Sequence, residues 1–350
     1  MKTMAAVLEE HGKPLVVEEV EIPDPAPDQV VVKLIASGVC HSQLHQLHNP
    51  ASPVPLMLGH EATGVVEKVG GQVTHVKEGD PVMLTWLPRE PGRRPTTPSI
   101  YKLRGQDIRA SIATWTEHSL LPEQYVVKMP TGVAMDVTSI IGCAVMTGAG
   151  AVINTAKVQA GQSVAVFGCG GVGLCILQAA AIVGANPIIA VDLAKEKLEF
   201  ASEFGATHLV NAAETDAVAE VIKISEGGVD YAYDAIGVPQ TAVQILRGVK
   251  AGVPGLRFGG LAVLVGIITQ PAPIDAGLFR SERRYMMSLG GSPNPDKDFG
   301  LYLDWFREGK LKLDKLVTQR FKLSEINDAV TALERGQIAG RCIIDYAPSI

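Results

Sequence analysis

Positive charge is in short supply. Lys and Arg total 31 against 37 Asp and Glu, a net charge of -6. Nothing in that balance favours holding a polyanion, so nucleic acid is not an expected partner. Cysteine is scarce too. The five present, Cys40, Cys143, Cys169, Cys175 and Cys342, are odd in number and scattered. That argues against a disulfide framework and leaves metal binding or burial for each. A long apolar run is also missing. The stretch 171–185 reads as the longest, is interrupted by Gln178, and is too short to span a bilayer. Residues 1–15 carry acids early and no apolar core, unlike a secretory signal. A soluble cytoplasmic protein without membrane contact is expected. No internal repeat or low-complexity tract is present.

What is there points to two domains. A chain of 350 residues is long for one core, and 47% hydrophobic with 19% charged residues suits close packing. Up to about residue 144, short β-rich runs such as 30–36, 62–69 and 81–85 are broken by Pro and Gly, the texture of an irregular β-rich domain. Between 145 and 288, apolar runs alternate with helical segments. The runs are 163–167, 187–191, 208–210, 229–234 and 261–265. The helices are expected at 171–184, 195–203, 217–225 and 242–247. Such alternation predicts an α/β fold, a doubly wound parallel sheet that binds a dinucleotide. The tail, 289–350, holds expected helices at 298–307 and 325–334 and a closing strand at 341–344, which is expected to rejoin the first domain. Residues 90–99, rich in Pro, Arg and Thr, read as an exposed loop.

The strongest local signal is Gly168-Cys169-Gly170-Gly171-Val172-Gly173. It follows an apolar run and opens a helical one, as a dinucleotide fingerprint requires. The glycines allow a tight turn, backbone approach to a pyrophosphate and close helix packing, and the helix N-terminus favours the phosphates. Asp192 ends the next strand. A carboxylate there accepts bonds from ribose hydroxyls and repels a 2′-phosphate, which favours NAD over NADP. A simple helix N-cap is the competing role for Asp192. Lys197 lies within reach of the same ribose or faces solvent. Cys169 and Cys175 read as packed thiols.

Cys40, His60 and Cys143 are thiol and imidazole donors of the kind zinc takes, and two thiolates with one imidazole leave a position open for catalysis. Their spacing leaves buried thiols and an ordinary histidine as an equal alternative. Gly59-His60-Glu61 with Gly64, Gly70 and Val73, then Cys40-His41-Ser42, then Ile141-Gly142-Cys143 with Thr147-Gly148, followed by the glycine motif, Asp192 and Lys197, resemble the zinc-containing medium-chain alcohol dehydrogenase family. The resemblance covers nearly the whole chain. It implies a GroES-like catalytic domain, 1–144 with 289–350, around the nucleotide domain, 145–288.

It also implies roles. Cys40, His60 and Cys143 would hold the catalytic zinc, with Glu61 beside it. Ser42 would take the substrate's proton and His45 would pass it to solvent. Arg341 and His41 would lie at the cofactor pyrophosphate, and Trp86 and Trp115 would line the substrate pocket. The implied reaction moves a hydride between NAD(H) and an alcohol, aldehyde or ketone, in a homodimer or homotetramer. His48, His75, His118 and His208 read as surface or core histidines, and His45, Trp86 and Trp115 could be ordinary surface or core residues as well.

Two departures from the family stand out. Relatives often carry a second, structural zinc on four cysteines, and no cysteine falls between 87 and 105. One catalytic zinc and no structural zinc are therefore expected. Relatives often have a carboxylate where this chain has Gln43, bracing the ligand histidine, so weaker metal retention is expected. Competing functions are a zinc-free quinone or enoyl reductase, a zinc-bearing enone reductase, and a non-catalytic nucleotide-binding structural or sensor protein.

Overall fold

The computed structural model describes residues 1–90 and 96–346; residues 91–95 of the expected loop lie outside the described residues. Two compact units emerge. One comprises Met1–Cys143, Asn294–Leu303 and Leu313–Ile350; the other comprises Ala144–Pro293 and Asp304–Lys312. The second unit therefore runs past the expected boundary at 288 and takes in a short piece of the tail.

The first unit is built on two sheets. Five strands run in the order Leu56–Met57, Lys2–Leu8, Val16–Glu21, Ser99–Leu103, Gln106–Ala110. The larger sheet runs Val126–Lys128, Pro81–Leu84, Ala62–Val69, Gln29–Val39, Arg341–Asp345, Val317–Phe321, with His118–Pro122 also paired to Gln29–Val39. The closing strand Arg341–Asp345 lies antiparallel to Gln29–Val39, matching Cys342 with Val39. That pairing returns the tail to the first unit and sets Arg341 beside the end of the strand that leads into Cys40.

The segment without structural-zinc cysteines contains a β-hairpin. Ser99–Leu103 pairs with Gln106–Ala110, and Arg104 and Gly105 both take left-handed dihedrals, φ 51° and 82°. Two such residues form the turn whose twist matches a hairpin. Tyr101, Leu103, Ile108 and Ala110 are buried among Ala5, Val7, Val20 and Leu120. The Tyr101 hydroxyl accepts the Leu120 N–H at 2.7 Å. Arg104 reaches Glu18 at 2.6 Å and also pairs with Glu9. Apolar burial and a sheet ladder thus anchor this part of the chain.

The second unit holds six strands, in chain order Val164–Phe167, Ile188–Asp192, His208–Asn211, Tyr231–Asp234, Leu261–Leu264 and Arg284–Met287. Across the sheet they run third, second, first, fourth, fifth, sixth, all parallel. This is a doubly wound order, in which ligands bind beyond the carboxyl ends of the strands near the first. VAVF, LAVL and the first four residues of IIAVD are wholly buried, as strands covered on both faces must be. Helices Gly171–Ile182, Lys195–Ser202, Ala217–Ile224 and Pro239–Gly248 lie between them. Asp216 caps the third, its side chain accepting the Val218 and Ala219 N–H groups.

The longest apolar stretch is not 171–185. Val137–Ala156 is helical throughout and has the length and apolarity of a membrane span, but 89% of it is buried within the fold. It is a core helix. Its turn Ile141–Val145 is of the wider π type, and Cys143 sits on that turn. Such turns occur often at functional sites.

Candidate metal and nucleotide sites

The three expected donors come from three separate elements of the first unit. Cys40 follows the strand Gln29–Val39 and caps the helix His41–His48. His60 sits just before the strand Ala62–Val69. Cys143 sits on the π turn. One ligand atom from each lies within 4.8 Å of the other two, and this is the one such His/Cys/Asp/Glu group found among the described residues. Tetrahedral zinc with sulfur and nitrogen ligands needs separations of about 3.5–3.8 Å, so small rotations close the site. The Nε2 atom of His60 is buried and has no hydrogen-bond partner. An unspent imidazole nitrogen between two thiols fits a metal ion.

Gly142 explains how Cys143 arrives. A Cβ at that position would lie 1.9 Å from the Leu84 carbonyl oxygen. Only glycine lets the helical segment press against the end of the strand Pro81–Leu84. Gly142→Ala is expected to push Cys143 out of reach and weaken metal retention at least tenfold, comparable to loss of an outer partner. Chelator competition checks this; an unchanged rate of metal loss would refute it. Gly38 plays a similar part, since a Cβ there would lie 2.2 Å from the Glu61 Oε1. Neither glycine stood out as a positioning residue in the sequence. A glycine inside a strand run, or directly before a candidate ligand, is the available signal.

Charge at the cluster is balanced by a buried pair. Glu61 and Arg341 are both buried and bonded to one another. Hydrogen bonding with the adjacent Cys143 thiol, aided by Arg341 and His60, holds Cys40 well below the ordinary thiol range against the opposing effect of burial. The same bond, with burial, pushes Cys143 well above it. The Cys40 thiol therefore gives up its proton more readily than the Cys143 thiol. Burial works against the guanidinium of Arg341, but Glu61 and the sulfurs outweigh it and keep it charged. Arg341, expected at a pyrophosphate, is thus committed in this structure to Glu61 and the sulfur cluster.

The other expected residues fall into place unevenly. Ser42 is half-buried, and its Oγ has no partner. His45 is exposed three residues along the same helix, a spacing that shares one face. No direct hydrogen bond joins the two, because Ser42 Oγ is unpartnered. His41 is exposed on the first turn. Trp86 is half-buried just beyond the strand Pro81–Leu84, with its indole N–H unpartnered. Trp115 departs from expectation. It is 1% exposed, packs with Ala6, Leu8, Leu44 and Leu47, and donates its indole N–H to the Gly38 carbonyl at 3.3 Å. A residue so enclosed is core and offers no free indole face to a substrate. Gln43 also departs: its Oε1 accepts the Cys40 N–H at 2.8 Å, which turns it toward the backbone of the neighbouring thiol.

In the second unit, Gly168 has a left-handed φ of 99°. A Cβ on Gly173 would lie 1.8 Å from the Gly168 carbonyl oxygen, while a Cβ on Gly170 would meet nothing within 4 Å. The first two facts fix the turn. The open space at Gly170, the N-cap of Gly171–Ile182, is where a phosphate would approach the free N–H groups of Gly171, Val172 and Gly173. Asp192 accepts the Cys169 N–H at 2.8 Å and the Ala194 N–H at 3.0 Å. The N-cap of the following helix is Ala194, so Asp192 is not that cap; it ties the glycine loop to the next turn. A carboxylate has further lone pairs for a ribose. Lys197 is half-buried one turn on. Cys169 and Cys175 are buried, and burial pushes the Cys169 thiol upward.

Comparison with known proteins agrees with this arrangement. Residues 26–131 match the alcohol dehydrogenase GroES-like domain family, and residues 171–308 match the zinc-binding dehydrogenase family. An alcohol dehydrogenase class-3 from Cereibacter sphaeroides is 33% identical over 374 aligned positions, covering 96% of this chain and 98% of the relative. The benzyl alcohol dehydrogenase of Acinetobacter calcoaceticus superposes with a TM-score of 0.88 at 29% identity, covering 99% of this chain and 100% of that one. An alcohol dehydrogenase zinc-binding domain protein from Burkholderia ambifaria gives 0.89 at 28% identity, covering 99% of each chain. With the ligand cluster and the glycine loop both formed, the chain belongs to the zinc-containing medium-chain dehydrogenase/reductase family and is an oxidoreductase.

Proposed function

We propose that the protein is a zinc- and NAD-dependent alcohol dehydrogenase. The convergence of Cys40, His60 and Cys143 within 4.8 Å carries this reading. Zinc held there would supply Lewis acidity, easing loss of the proton from an alcohol. NAD on the glycine loop would accept the hydride.

The protein's own groups do the rest. Ser42 Oγ, buried and unpartnered, takes the hydroxyl proton of the substrate. His45, exposed on the same helix face, gives that proton to water, with a bridging hydroxyl or water between the two. Arg341 offsets the charge of Glu61 and the sulfurs, and His41 is the residue proposed to bind the cofactor phosphates. One zinc per chain is proposed, because the hairpin Ser99–Ala110 packs its own segment. With Trp115 in the core, Trp86, half-buried against the core of the larger sheet, is the aromatic residue left for the pocket. It favours an aromatic or medium-chain alcohol over a polyol, and the likeness to a benzyl alcohol dehydrogenase agrees.

A homo-oligomer fits the second unit. Among the described residues, the edge strand Arg284–Met287 pairs on one side only and exposes Met286 and Met287, with exposed Leu289 just beyond it. Open apolar edges invite pairing. The test of function is steady-state oxidation of benzyl alcohol with NAD and with NADP. A kcat/KM at least tenfold higher with NAD is expected. Turnover confined to enones or quinones, or none with NAD bound, would overturn the reading.

A further inference from the structure

Buried polar atoms without partners gather around the ligand cluster: Ser42 Oγ, His60 Nε2, Arg341 Nε and Gln43 Nε2. The first three have work in the function proposed above. Gln43 does not. Its side chain is fully buried, which is costly for a carboxamide whose two N–H groups donate to nothing. Its other end is held firmly. Gln43 and Cys40 are tied twice: the Cys40 N–H donates to Gln43 Oε1 at 2.8 Å, and the Gln43 backbone N–H donates to the Cys40 carbonyl at 3.1 Å. The carboxamide is therefore pinned at Cys40, and it is not a brace for His60. Its nitrogen is an unspent buried donor on the side chain that caps Cys40, whose sulfur must carry charge when it binds a metal.

We propose that Gln43 is a positioning residue for the Cys40 ligand, holding that sulfur through its backbone cap and donating its carboxamide N–H to the thiolate. The inference rests on the zinc reading. Hydrogen bonds to a charged acceptor are about twice as strong as neutral ones. The donated bond would therefore be strongest to the sulfur of a metal-bound Cys40. It withdraws charge from sulfur, so the pair donates less to the metal. A carboxylate at this position would do the reverse, placing a negative charge against two thiolates.

Gln43→Glu separates the roles, because it keeps the capping oxygen and replaces the donor with a second, charged acceptor. Gln43→Leu removes both. The probe is cobalt(II) bound to the full chain, read by the thiolate-to-cobalt absorption band and by the rate of metal loss to a chelator. For Gln43→Glu, a shifted band and metal loss about 10–100-fold faster are expected, the usual range for an outer partner, with a cooperative thermal transition retained. Gln43→Leu is expected to lose metal at least as fast. A Gln43→Glu protein with an unshifted band and wild-type metal loss would overturn the proposal. So would tighter retention in Gln43→Asp, since that would mean a carboxylate bracing His60. A wild-type chain that gives no thiolate band at all would instead sink the zinc reading on which this rests.

Discussion

Cys143→Ser lowers alcohol oxidation by about a thousandfold or more and leaves NAD binding unchanged. That is the largest effect expected here. Lewis-acid activation contributes several kcal/mol to the barrier, and each 1.36 kcal/mol is a decade in rate. Cys143 supplies one of only three protein donors, and a serine hydroxyl is a poor replacement for a thiolate. The variant leaves the glycine loop and Asp192 intact, since those belong to the second unit. Kinetics with benzyl alcohol and fluorescence titration with NADH check both halves. A variant that keeps more than a tenth of wild-type kcat/KM would remove Cys143 from the chemistry.

Asp192→Ala comes second, with an expected rise in the KM for NAD of about 100-fold. The carboxylate is asked to do two things. It holds the Cys169 and Ala194 N–H groups at 2.8 and 3.0 Å, which shapes the loop, and it is proposed to accept a ribose hydroxyl. Hydrogen bonds to a charged group are worth about 1.5–3 kcal/mol each, so losing them amounts to about two decades. NADP is expected to suffer less, because removing the carboxylate also removes its repulsion of a 2′-phosphate. The ratio of kcat/KM for NAD over NADP therefore falls. Asp192→Asn keeps one acceptor oxygen and is expected to lie between. Equal losses with both cofactors would leave Asp192 a loop anchor only.

The nucleotide unit was readable in the sequence because its central strands are buried. Runs such as VAVF and LAVL carry no polar residue to blur the pattern. The strand Arg284–Met287 escaped for the opposite reason: at a sheet edge, RYMM is mostly exposed and follows no clean period. The tail's return was foreseen as a strand, but its partner Gln29–Val39 lies far off in the chain. Spacing alone could not join Cys143 to Cys40 and His60. Their meeting depends on the close approach of Gly142 to Leu84, and only the family resemblance pointed to it. Trp115 shows the limit of residue type as a guide. A tryptophan in the right place for a pocket turned out to satisfy its N–H on Gly38 and to fill the core. The Arg341–Glu61 pair and the Gln43 cap depend likewise on how side chains pack.

Zinc content per chain, by elemental analysis of protein purified without chelator, tests the central claim most directly. The account predicts about one zinc per wild-type chain and close to none in Cys143→Ser. A value near zero that persists after zinc is added back would contradict it, and so would a value near two that Cys143→Ser leaves unchanged.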